Sequence, residues 1–145
     1  MGNRAVIVTE PTATAKIGVY LHWNGGRDSV RCFLAYASMT HQRAPEQDCY
    51  GWARLCQIIG NFFGGTTSLG IGPMSEIDCN NGDNGVYIIK NWKIVGREFY
   101  GDYPEQDEYD FLEFMTEINN KMPESERVSE AELKKWVEEH KSEYQ

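Results

Sequence analysis

Residues 16–39, KIGVYLHWNGGRDSVRCFLAYASM, contain the change from strand to helix that decides how this chain folds. Apolar residues alternate with others over 17–23, the period-two pattern of a half-buried strand. Over 30–37 they recur at spacings of three and four, the pattern of one apolar helix face. The polar, glycine-containing segment in between ends the strand and offers Asp28 or Ser29 as the helix N-cap.

The sequence on either side extends this pattern to the order β-β-α-α-β-β-β-α-α. We predict strands near residues 5–9, 16–23, 66–71, 86–90 and 93–99, and helices near residues 28–39, 50–63, 105–122 and 129–140. Because strands and helices occur in runs, we expect an α+β fold with a mostly antiparallel sheet. The helix at 50–63 has the broadest apolar face, so we expect it to be central and buried.

Charge is distributed unevenly along the 145 residues, whose net charge is −8. Residues 1–97 hold nine basic and seven acidic side chains, whereas residues 98–145 hold five basic and fifteen acidic ones. We predict a compact body over 1–100 and an acidic helical pair over 101–145, packed on it as one domain. A surface of this sign repels nucleic acid and anionic membranes and attracts basic protein surfaces.

The acidic third supplies the candidate partner-binding residues. Carboxylates spaced along helices can imitate a row of phosphates and steer association with a basic surface. The residues expected to make this contact are Glu105, Asp107, Glu108, Asp110, Glu113, Glu117, Glu130, Glu138 and Glu139. The alternative interpretation is a solvated helical face that keeps a small protein soluble.

The turn between the predicted strand and helix is the candidate ligand site. Its two glycines permit positive φ, so that backbone N–H groups can face one concavity beside the positive end of the helix dipole. The expected contact residues are His22, Trp23, Asn24, Gly25, Gly26, Arg27 and Ser29. Such a site suits a phosphate, a carboxylate or a nucleotide. Against this site, the Asp28 carboxylate can satisfy the same N–H groups as a cap. The alternative is a plain strand-to-helix turn whose glycines serve geometry alone.

The chain has four cysteines and no C-x-x-C pair, which favours free thiols over a zinc or thioredoxin-type centre. We therefore expect no metal and no cofactor. A catalytic nucleophile needs a base, and the local grouping that comes nearest is Cys32 with His22 and Asp28. Ser29 stands at a helix start without an identifiable base. Since neither has a recognisable motif around it, we expect a protein that is not an enzyme, with a small thiol or serine hydrolase as the alternative.

Two groups of aromatic residues are further candidates for contact with a ligand or with a second copy of the chain. Near the start of the second helix, Tyr50, Trp52 and Arg54 could stack on a base or bind a carboxylate, although aromatic residues at such spacing commonly belong to a core. A second set offers a face for a homodimer, with an ordinary edge strand as the alternative. Its members are Tyr87, Trp92 and Tyr100.

The chain also lacks the patterns that direct a protein to a membrane. No stretch approaches the ~18 consecutive apolar residues that a spanning helix needs. The first residues lead into too few apolar positions for a signal peptide. We expect a soluble, cytoplasmic protein without membrane contact.

Three segments carry a resemblance to a known family: GVYLHWNGGRDSV at 18–30, DCYGWARLCQIIGNFFGG at 48–65 and DNGVYIIKNWKIVGRE at 83–98. Over about residues 4–100 the chain resembles small uncharacterised proteins encoded by phages, prophages and mobile elements of Gram-positive, often gut-dwelling bacteria. No catalytic residues are assigned in that family, so the resemblance implies none in this chain. The resemblance implies a counter-defence role in the host cytosol. Such a protein would be an anti-CRISPR-like inhibitor on the nucleic-acid-binding surface of a host nuclease or defence complex, or would sequester a nucleotide signal.

Overall fold

The computed structural model describes residues 2–101, 105 and 107–145. Within them the strands are β1 (Ala5–Val8), β2 (Ile17–Leu21), β3 (Leu69–Pro73), β4 (Val86–Lys90) and β5 (Lys93–Glu98). The helices are α1 (Arg27–Met39), α2 (Cys49–Phe63), α3 (Phe111–Lys121) and α4 (Glu130–His140). Short 3₁₀ turns follow β3, α3 and α4. The predicted order of elements and the α+β class are confirmed.

The strands form one sheet in the order β3-β2-β1-β4-β5. Three of its pairings are antiparallel, whereas β1 and β4 run parallel. The mostly antiparallel sheet is therefore confirmed, while the parallel pair was not predicted. This topology brings the start of β1, the end of β2 and the start of β4 together at one end of the sheet.

The helices cover one face of the sheet and build the main core. That core contains the inward side chains of the sheet, such as Ile7 and Leu21, together with side chains from all four helices. The central helix is α1, most of whose residues are buried, so the expectation that α2 would be the buried helix is wrong. The reason is position: α1 contacts both α2 and α3 as well as β5. The opposite face of the sheet is covered by a smaller cluster around Val6, Val8 and Val86.

The ends of β2 and the start of α3 differ from the sequence-based expectation. Ile17 is 38% exposed and Trp23 is 44% exposed, so the ends of the predicted apolar stripe lie outside the core. The first acidic helix begins at Phe111 instead of Glu105, because Asp110 forms its N-cap by accepting a hydrogen bond from the N–H of Glu113. Side-chain periodicity alone does not reveal this start.

The acidic helices pack against the body of the protein. Phe114 and Ile118 of α3 and Leu133 of α4 are buried in the same core as the sheet and α1. Ser129 caps α4 by accepting a hydrogen bond from the N–H of Glu132. The acidic helices therefore have one apolar side in the core and one charged side toward solvent.

Candidate functional site

The turn before α1 has a different backbone from the one expected. The positive φ belongs to Asn24, at 55°, and Gly26 has a φ of −68°, so the expectation that the glycines would supply positive φ is wrong. Gly25 is needed for space, since a Cβ there would lie 2.5 Å from the carbonyl oxygen of Asn3. Its N–H donates to that same oxygen at 2.9 Å, and its carbonyl oxygen accepts the hydroxyl of Tyr87 at 2.7 Å.

The predicted cap of α1 is also wrong. The N-cap is Gly26, which has no side chain that could cap the helix. Asp28 and Ser29 lie within the first helical turn. The buried carboxylate of Asp28 accepts the backbone N–H groups of Glu108, at 2.8 Å, and Tyr109, at 3.1 Å. Asp28 thus fixes the segment before α3 to the start of α1. It also places a negative charge where the anion was expected.

The other residues of this candidate site have contacts within the chain. Arg27 donates to the backbone carbonyl of Gln145 at 2.9 Å. The Nδ1 atom of His22 is 3.0 Å from the hydroxyl of Tyr20, and its ring meets that of Trp23 edge-on at 5.0 Å between centroids. Ser29 is buried, and its hydroxyl has no hydrogen-bond partner in the part of the chain that the structure describes. These contacts fit the plain-turn interpretation, and anion binding here stays a prediction.

The nine acidic candidates are all exposed, but they fall into two groups. Four have a partner within the chain: Glu105 pairs with Arg97, Asp110 caps α3, Glu130 lies 3.2 Å from Lys134, and Glu138 lies 3.9 Å from Lys141. The other five have side chains with no hydrogen bond or ion pair to any described residue. They are Asp107, Glu108, Glu113, Glu117 and Glu139. Of the first group, Glu105, Glu130 and Glu138 have their charges offset by a cation, whereas Asp110 accepts only a backbone N–H group.

The proposed homodimer face is not formed as expected. Tyr87 is fully buried and Trp92 is 3% exposed, which leaves Tyr100 as the exposed member of the set. Arg97 lies between two of these rings, with its guanidinium carbon 4.1 Å from the centroid of Tyr87 and 4.8 Å from that of Tyr100. This arrangement holds Glu105 through its ion pair with Arg97. Tyr87 and Tyr100 therefore help to position the acidic segment, whereas Trp92 donates its indole N–H to the carbonyl of Gln42.

The group at the start of α2 is split between different surfaces. Tyr50 is 57% exposed and lies under the guanidinium of Arg43, 5.1 Å from the ring centroid. Trp52 lines a shallow cleft beside Glu46, whereas Arg54 lines a separate cleft against α3 and α4. Residues two apart on a helix point in nearly opposite directions, so Trp52 cannot share a face with the other two.

The cysteines are free and differ in accessibility. Cys32 is buried, Cys49 is exposed, and Cys56 and Cys79 are half-buried. Burial raises the pKa of the Cys32 thiol to about 12, so this side chain stays protonated at neutral pH. A protonated, buried thiol is a poor nucleophile, which weighs against the thiol-hydrolase alternative.

Thiol labelling tests this difference in accessibility. We expect a disulfide reagent such as Ellman's reagent to modify Cys49 rapidly in the folded protein and Cys32 only after denaturation. A Cys49→Ser variant should lose the fast phase, which assigns it. Rapid modification of Cys32 under native conditions would show that this thiol is accessible after all.

A network of polar side chains lies at this end of the sheet, next to the turn before α1. The side-chain amide of Asn84 donates to the side-chain oxygen of Asn3 at 2.6 Å, and the carboxylate of Asp83 accepts the N–H and Nε of Arg4. The side-chain oxygen of Asn81 accepts two backbone N–H groups of the same loop. The clustered Asn and Asp residues before β4 therefore hold the loop together.

Comparison with known proteins adds no identification, because no family model, no curated protein and no solved structure matches the chain. Among the described residues, no group of three or more His, Cys, Asp or Glu side chains is placed to hold a metal ion. None of the helices described above is both long and apolar enough to cross a membrane. Function is therefore inferred from the surfaces of the molecule.

Proposed function

We propose that this protein is a non-catalytic binding protein whose acidic C-terminal surface engages a basic surface of another protein. In its specific form, the proposal is a counter-defence inhibitor that occupies the nucleic-acid-binding surface of a host nuclease or defence complex. The observation that carries it is that five of the nine acidic candidates are exposed and have side chains that form no hydrogen bond or ion pair with any described residue.

The position of α3 supports a preformed surface. Glu113 and Glu117 are one helical turn apart and exposed, while Phe114 and Ile118 beside them are buried in the core. The helix is therefore held by packing and presents its charges without having to fold on binding. A rigid acidic surface loses little conformational entropy when a partner docks.

The carboxylates that already have partners contribute less to this surface. Glu130 and Glu138 lie beside lysines of their own helix, and Glu105 is paired with Arg97. Their charges are offset before any partner arrives. We therefore expect binding to depend mainly on α3 and the segment before it, and to weaken as salt screens the long-range attraction.

The test is inhibition of purified DNA-cutting nucleases, including CRISPR effectors, by the full chain. We expect the wild type to block DNA binding and cleavage by at least one of them, and a Glu113→Lys/Glu117→Lys variant to lose about tenfold or more of the inhibition. The matched control is Glu10→Lys/Glu76→Lys, which makes the same charge change at exposed residues of the body.

The outcomes separate the proposal from the solvated-face alternative. Inhibition that is lost in the α3 variant, retained in the control and weakened by salt supports it. The proposal fails if no nuclease in the panel is inhibited. It also fails if both variants inhibit like the wild type, or if salt has no effect on the interaction.

A further inference from the structure

A polar cleft lies on the side of the molecule where α2 faces the end of α3 and the start of α4. Its volume is about 480 Å³, within the range of about 300–1,000 Å³ that small-molecule sites occupy. One wall comes from the end of α1, the loop after it and α2, with Tyr36, His41 and Arg54. The other wall comes from the segment between α3 and α4 and the first turn of α4, with Glu126 and Glu132.

Arg54 is the unusual group in this cleft. Its guanidinium forms neither a hydrogen bond nor an ion pair with any described residue, and its Nε is shielded from solvent. A guanidinium with no partner of its own is free to bind an anionic group, and hydrogen bonds to a charged donor are stronger than those between neutral groups. The donors within reach of a ligand in the cleft are therefore the two terminal nitrogens, Nη1 and Nη2, whose N–H groups form a planar pair that matches a carboxylate.

The two walls have opposite charge and do not neutralise each other. Neither Glu126 nor Glu132 forms an ion pair with Arg54 or with another described residue. The body of the protein thus supplies the cationic wall and the acidic third supplies the anionic one. A molecule that spans the cleft would need an anionic end for Arg54 and a cationic end for the glutamates.

We propose that this cleft binds a small molecule with a carboxylate at one end and a cation at the other, of the class represented by the basic amino acids. Arg54 holds the carboxylate through paired N–H donors. Glu126 and Glu132 face the cationic end, and the ring of Tyr36 and the side chain of Ile58 line the floor beside the alkyl part. This site is independent of the acidic surface on α3.

Calorimetric titration of the full chain with a matched set of compounds tests the proposal. L-arginine and L-lysine carry both charged ends, agmatine and cadaverine lack the carboxylate, and succinate lacks the cation. We expect saturable binding of the two amino acids below about 1 mM, and binding at least about tenfold weaker for the other compounds, because each makes only one set of contacts.

Variants assign the binding to this cleft. Arg54→Lys should weaken L-arginine binding about tenfold, since lysine keeps the charge but loses the paired donors. Glu126→Gln/Glu132→Gln should weaken it independently of Arg54. Lys90→Gln is the control, since it removes a positive charge at an exposed position outside the cleft. Thermal unfolding of each variant shows that it is folded.

The proposal is supported if wild type binds both amino acids, the Arg54 and glutamate variants bind them more weakly, and the Lys90→Gln control binds them like wild type. It is overturned if wild type binds neither amino acid, if agmatine binds as well as L-arginine, or if Arg54→Lys binds like wild type. Because Glu113 and Glu117 are not part of the cleft, failure here leaves the nuclease-inhibition test unaffected.

Discussion

Replacing Gly51 with alanine is expected to lower the free energy of unfolding by about 3 kcal/mol or more. Gly51 is in the first turn of α2, where a Cβ would lie 2.3 Å from the carbonyl carbon of Ala44 and 2.4 Å from the nitrogen of Pro45. Both are backbone atoms, so no side-chain rotation relieves the overlap. Either α2 or the loop before it must move, and α2 carries Leu55 and Ile59 in the core.

Gly60 of the same helix provides a matched control. A Cβ there would lie 3.7 Å from the end of the Leu69 side chain, which is an ordinary contact. Alanine is a better helix former than glycine by about 0.5–1 kcal/mol, so Gly60→Ala should raise the stability slightly. Urea denaturation followed by circular dichroism measures both changes. Similar stabilities for the two variants would contradict the described packing of α2.

The features that the sequence predicts well depend on neighbouring residues. The end of α2 follows from Gly64, which adopts the left-handed conformation at a φ of 65°. The start of α4 follows from Ser129, and the β4–β5 turn follows from Asn91 and Trp92, both with positive φ. Each of these signals acts within a few residues, so a single sequence is enough to locate them.

The features that the sequence did not predict depend on distant contacts. Asp28 looks like an N-cap in isolation, but its Oδ2 accepts the backbone N–H groups of Glu108 and Tyr109, some eighty positions later in the chain. Tyr87 looks like an exposed aromatic residue of a strand, yet it is buried between α1 and Arg97. The cleft at Arg54 likewise forms only where α2 meets the segment after α3.

Replacing Phe114 with alanine is expected to lower the free energy of unfolding by about 3–5 kcal/mol. Phe114 is 1% exposed, and its ring centroid lies 5.7 Å from that of Phe33 in α1 and 5.1 Å from that of Phe62 in α2. The side chain therefore joins the acidic helices to the body. If these parts form one domain, the substitution should shift a single unfolding transition without dividing it.

Hydrogen exchange measured by mass spectrometry distinguishes one domain from two. We expect Phe114→Ala to weaken protection of the amides in α3 and in the central strand β1 by similar amounts, because both depend on the same core. Glu117→Ala, at an exposed position of the same helix, should change neither by more than about 0.5 kcal/mol. If α3 and α4 lost protection while β1 kept it, the acidic helices would be a separate unit. The charges on α3 would then lack the rigid support on which the proposed binding surface depends.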